Sequence, residues 1–149
     1  MHRILLAEPD ALVAAAHADA LEAAGFAPVG VGDGVAALEA ASRMLHESGE
    51  GPDALVTALR MPCLGGEGVI HALRGLWPDL PVVVTSSDLD VGDAETLRRR
   101  SRGDGPLVLF GRPLAAETLA AIVRAMLAAG GSSVKRPCTD VRRSDEVMA

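Results

Sequence analysis

Five short apolar runs, at residues 4–7, 29–31, 54–56, 82–84 and 107–110, recur along the chain. Segments with helical spacing follow them, at residues 11–24, 35–46, 68–76, 94–100 and 115–127. Most of the apolar runs are continuous rather than alternating, the pattern of parallel strands buried on both faces. Strand then helix, five times over, predicts an α/β fold: a five-stranded parallel sheet, doubly wound, with helices on both faces in three layers. In such a sheet the ligand or signalling site lies at the carboxyl ends of the strands, so the residues just after each strand carry the functional information.

Composition fits this layering. Hydrophobic residues make up 49% of the 149 positions and aromatics only 2%, so the core must be built from Ala, Leu and Val. The length suits one domain. A net charge of -6 argues against a nucleic-acid binder, which would present a dominant basic face. No run approaches the roughly 18 apolar residues of a membrane span, and the opening MHRILLAEPD has acids where a signal peptide would continue apolar. Cys63 and Cys138 lack a CxxC partner, which suits a reducing compartment, so the expected location is cytoplasmic. Gly25, Gly34, Gly51, Gly105 and Gly130 fall near segment boundaries and are expected to serve caps and turns. From residue 130 apolar periodicity stops, and the expected organisation is a domain over 1–129 followed by a disordered tail over 130–149.

Several chemistries are absent from the pattern. His2, His17, His46 and His71 show no HxxxH spacing and no clustering with cysteine, so no metal site is expected and they are read as surface or edge residues. No GxSxG elbow occurs, and VGVGDG misses the dinucleotide spacing and follows the second strand. A flavin or nucleotide site would want a phosphate-cradling loop after the first strand and aromatics to stack on. The chain offers AEPD there, no Tyr, and only Trp77, Phe26 and Phe110.

Across residues 3–128 the segments resemble the receiver domain of bacterial response regulators, of flavodoxin-like architecture. ILLAEPDALV resembles the family's first strand and acidic loop, and GDGVAALEA the turn into its second helix. PDALVTALRMPCLGGEGVIHALR is similar to the third strand, phosphorylation loop and third helix, including Arg60-Met61-Pro62 and Gly66. LPVVVTSS resembles the fourth strand ending at the switch hydroxyl, and LFGRPL the fifth strand ending in a Lys-Pro pair.

The resemblance also exposes departures. The family's phosphoacceptor aspartate, three residues before the Met-Pro pair, falls on Ala58, whose methyl group cannot be phosphorylated. The acidic pair that holds magnesium falls on Glu8 and Pro9, the lysine on Arg112 before Pro113, and the switch hydroxyl on Ser86. Magnesium demands near-octahedral oxygen ligation and one or two carboxylates beside phosphate oxygens. Glu8, helped at most by Asp10, is a poor set for it, so no cofactor is expected. Asp53 cannot replace the acceptor, because five residues of strand separate it from Ala58 by roughly 16 Å. Asp10 reads first as an N-cap for the following helix and second as a metal ligand.

Two further features have competing readings. Glu8 and Arg112 either pair across the cleft or stand solvated at its rim. Arg98, Arg99, Arg100 and Arg102 either form a solvated helix end or a docking face for a protein partner. By resemblance Pro113 follows a cis peptide. The function expected is that of a stand-alone receiver-like signalling protein, not an enzyme, that docks onto a histidine kinase, another regulator or itself without phosphorylation. The alternative is a phosphorelay receiver whose acceptor has moved to Asp10 or Glu8. Neither nucleic acid nor membrane is an expected partner.

Overall fold

The computed structural model describes residues 1–87 and 93–130. The chain alternates β1 (Arg3–Ala7), α1 (Ala11–Ala23), β2 (Ala27–Val31), α2 (Gly34–Ser48), β3 (Ala54–Ala58), α3 (Gly66–Leu76), β4 (Val82–Ser86), α4 (Asp93–Arg100), β5 (Leu107–Gly111) and α5 (Ala116–Gly130). All strand pairs are parallel and the order is β2-β1-β3-β4-β5, the doubly wound sheet expected. The expected tail begins where α5 ends, and residues 131–149, Cys138 among them, lie outside the described residues.

Continuous apolar strands bury side chains on both faces. Leu5, Leu55, Val82 and Val84 pack with Ala37, Ala40, Met44, Ile70 and Trp77 in one core layer. Ile4, Leu6, Val56 and Val83 point the other way, onto Leu21, Phe26, Leu119 and Val123. Each such fully buried aliphatic side chain contributes about 1.5–3 kcal/mol relative to exposure. β3 and β4 are buried throughout, whereas β2 and β5 are the edges, and Pro28 sits on the β2 edge, where a missing ladder donor is tolerated.

Local signals fix the helix ends. Asp10 and Asp33 accept backbone hydrogen bonds as N-caps of α1 and α2, and Gly49 closes α2 at φ 78°, a left-handed geometry glycine adopts without Cβ strain. Gly34 is more than punctuation: a Cβ there would collide with the carbonyl of Leu64 in the β3–α3 loop.

At the amino-terminal end of the sheet, Arg74 of α3 is buried at 3% exposure. Its guanidinium reaches backbone oxygens: Leu80 from Nε at 3.1 Å and Nη2 at 2.8 Å, Arg102 from Nη1 at 3.1 Å, and Gly105 and Pro106 from Nη2 at 2.8 and 2.9 Å. It thereby ties the entry of β4 to the connection between α4 and β5. Burial lowers the Arg74 guanidinium from its ordinary value, and Asp104 and Asp79 oppose that shift.

Candidate functional site

The carboxyl ends of β1, β3, β4 and β5 converge on a cleft of about 300 Å³ lined by Glu8, Pro9, Asp10, Ala58, Arg60, Thr85, Ser86, Ser87 and Arg112. Glu8 follows β1 directly, its N–H bonded to the Val31 carbonyl at 3.0 Å, and the residue is 4% exposed. Arg112 follows β5, its N–H bonded to the Ser86 carbonyl at 3.0 Å. The strand order thus sets a carboxylate and a guanidinium facing each other over the ends of β3 and β4.

They meet in a two-point fork. Arg112 Nη1 donates to Glu8 Oε1 at 2.8 Å and Nη2 to Oε2 at 3.0 Å. Such parallel charge-assisted bonds fix orientation as well as adding energy. The Glu8 side chain is 3% exposed and that of Arg112 21%, so solvent screens the pair only from the arginine side. Thr85 Oγ1 accepts a further bond from Nη1 at 3.3 Å, and the Asp10 N–H donates to Glu8 Oε2 at 3.0 Å. The hydrogen bonds to Glu8 raise the Arg112 guanidinium above its ordinary value despite partial burial, with the charges of Glu8 and Asp10 adding to the effect.

The other candidate residues occupy definite places. Asp10 Oδ1 accepts from the Leu12 and Val13 amides at 3.0 and 3.3 Å, so this carboxylate caps α1. Ala58 ends β3 at 4% exposure and presents a methyl to the cleft. Ser86 ends β4, buried at 3% exposure. The Arg112-Pro113 peptide is cis. Asp53 stands at the opposite end of β3, its carboxylate accepting from the Arg3 amide at 2.7 Å. Three of the four arginines of α4 and the loop after it are engaged within the domain. Arg98 donates to the Leu107 carbonyl at 3.1 Å, Arg100 pairs with Glu67 at 3.0 Å, and Arg102 reaches the His71 carbonyl at 3.5 Å; Arg99 is exposed.

Two participants escape the sequence reading. Thr85, one residue before the expected switch hydroxyl, lines the cleft beside Ser86 and bonds Arg112. His17, expected at the surface or an edge, is buried at 4% exposure, because α1 lays that face against the segment after β5. Among the described residues no group of three or more His, Cys, Asp or Glu could hold a metal ion, and no helix is long and apolar enough to cross a membrane.

No family model matches the chain. It is 33% identical over 131 residues to the transcriptional regulatory protein PrrA of Mycobacterium tuberculosis, covering 88% of this chain and 52% of that one. It is 34% identical over 125 residues to the response regulator MprA of Mycobacterium leprae, covering 84% of this chain and 50% of that one. The chain spans about half the length of these curated relatives. Among solved structures, the Francisella response regulator 1452 receiver domain superposes with a TM-score of 0.71 at 20% identity, covering 88% of this chain and 100% of that one. The chain is thus similar to response regulators in sequence and has the receiver fold. The chemotaxis protein CheY4 of Vibrio cholerae shares the receiver fold, with a TM-score of 0.71 at 17% identity over 85% of this chain and 98% of that one. In this receiver, then, the cleft at the strand ends contains a guanidinium–carboxylate fork above an alanine.

Proposed function

We propose that this receiver serves two-component or phosphorelay signalling without being phosphorylated, acting by docking onto a protein partner: a histidine kinase, another regulator or a second copy of itself. The observation that carries the reading is the engagement of both Glu8 oxygens by Arg112, at 2.8 and 3.0 Å. A cation already sits on the carboxylate that a magnesium ion would need. Asp10 spends one oxygen capping α1, Pro9 has no side-chain oxygen, and Ala58 supplies a methyl. This donor set does not fit a hard cation that demands octahedral oxygen ligation, so neither metal nor other cofactor is part of the reading. Without an attacking oxygen held in line at Ala58, phosphoryl transfer has no acceptor there.

Both charged positions depart from the family pattern toward longer or forked side chains. β1 and β5 lie three ladder steps apart, about 14 Å, and a glutamate with an arginine covers more of that span than an aspartate with a lysine. The pair bridges the cleft from wall to wall and holds one conformation for a partner to recognise. The other reading, an acceptor moved to Asp10 or Glu8, is disfavoured because both carboxylates already have bonding partners. No enzymatic activity, nucleic acid or membrane enters the proposal.

The test is incubation of the full chain with magnesium and acetyl phosphate, read by intact mass, with thermal unfolding followed with and without magnesium. No adduct and no magnesium-dependent shift are expected. A stoichiometric adduct abolished by Asp10→Asn or Glu8→Gln would replace this reading with the relocated acceptor.

A further inference from the structure

Helix α1 touches both halves of the Glu8–Arg112 fork. At its start the Asp10 amide donates to Glu8 Oε2 at 3.0 Å, and two turns later His17 Nε2 lies 3.1 Å from the carbonyl of Leu114, two residues beyond Arg112. A carbonyl only accepts, so Nε2 carries a proton, and in the neutral ring Nδ1 is a bare acceptor. That Nδ1 is buried and has no hydrogen-bond partner among the described residues. An unmatched acceptor in a helix face at 4% exposure is a poor choice for stability alone. An apolar side chain of similar volume would remove the liability. What such a side chain could not supply is the bond to Leu114, which anchors the segment carrying Arg112.

We propose that His17 is a positioning residue for the Glu8–Arg112 fork: its Nε2–H holds the Leu114 carbonyl and so fixes the height and angle at which Arg112 reaches Glu8. The inference rests on the proposed reading of the fork as the feature that holds the cleft in one state. In this arrangement α1 is a jig with two stops, the Asp10 amide for the carboxylate and His17 for the guanidinium. Thr85 limits rotation of Nη1 from the β4 side. Loss of the His17 stop leaves the arginine charged and present but free to leave the two-point geometry.

The experiment uses the full chain labelled with nitrogen-15. In the wild type, hindered rotation of the Arg112 guanidinium should give two resolved Nη resonances, assigned by their loss in Arg112→Lys. His17→Leu should merge them while backbone amides away from the cleft keep their positions, and His17→Gln, whose side-chain amide can donate to Leu114, should restore the splitting. A folded His17→Leu protein with the splitting intact would overturn the positioning role. Should that variant not fold, the wild-type histidine decides: nitrogen-15 shifts showing Nε2–H and bare Nδ1 support the inference, and the opposite tautomer sinks it. A single averaged Nη resonance in the wild type would instead remove the fork itself, and with it the proposed function.

Discussion

Replacing Arg74 by leucine removes a buried cation that four backbone carbonyls share. Its Nη2 has two hydrogens for three acceptors, so the five contacts amount to four donors serving Leu80, Arg102, Gly105 and Pro106. Pro106 keeps its bond from the Val82 amide at 2.9 Å, which leaves three carbonyls short. Each costs about 1–3 kcal/mol if it stays dry. Two effects reduce the sum: the leucine variant no longer buries a guanidinium, worth several kcal/mol by itself, and water can enter beside the exposed residues 102–104. The expected net loss is about 2–4 kcal/mol, which in a domain of this size lowers the melting temperature on the order of 10 °C. Urea unfolding followed by circular dichroism measures it. Arg74→Lys should fall between, since one ammonium cannot span both loops. A loss under about 1 kcal/mol for leucine, or full stability with lysine, would refute the claim that the fork geometry staples β4 to the loop before β5.

Other outcomes follow from single contacts. Asp10→Ala should cost about 1 kcal/mol through loss of the α1 cap, measured by chemical denaturation. Cys63 holds φ 70°, so Cys63→Gly should stabilise the domain by about 1 kcal/mol in the same assay. Gly34→Ala drives a methyl into the Leu64 carbonyl and should cost more than the usual glycine-to-alanine gain in a helix, with a net loss of about 1–3 kcal/mol. Because the Arg112 guanidinium is raised in the folded state, its stabilising share is complete below its unfolded value and disappears only as pH climbs through the raised one. The stability gap between wild type and Arg112→Met should therefore stay constant from about pH 7 to 10 in a series of denaturant titrations.

The alternation and layering were legible because four of the strands contain uninterrupted apolar runs, and period alone separates them from the helices. Strand ends were harder. β3 and β4 continue through Thr57, Ala58, Thr85 and Ser86, small or polar residues that an apolar-run reading cuts off, though the ladder carries them at 4% exposure or less. The place of the cleft followed from the alternation, but the meeting of residues 8 and 112 was legible only through the resemblance, since no pattern in the chain links them. His17 and Arg74 were opaque for one reason: polarity forecasts exposure, and each is a polar side chain whose burial depends on carbonyls brought close by distant loops.

The fork between Glu8 and Arg112 closes a loop of 104 positions. In the sheet β3 and β4 lie between the two strands that carry it, so a contact of this sequence separation is expected late in folding, outside an early nucleus. Interactions made after the transition state leave the folding rate nearly unchanged and slow the reverse step. The contact across the cleft is thus expected to act also as a clasp on the nearly complete chain, prolonging the lifetime of the native state more than it hastens its arrival.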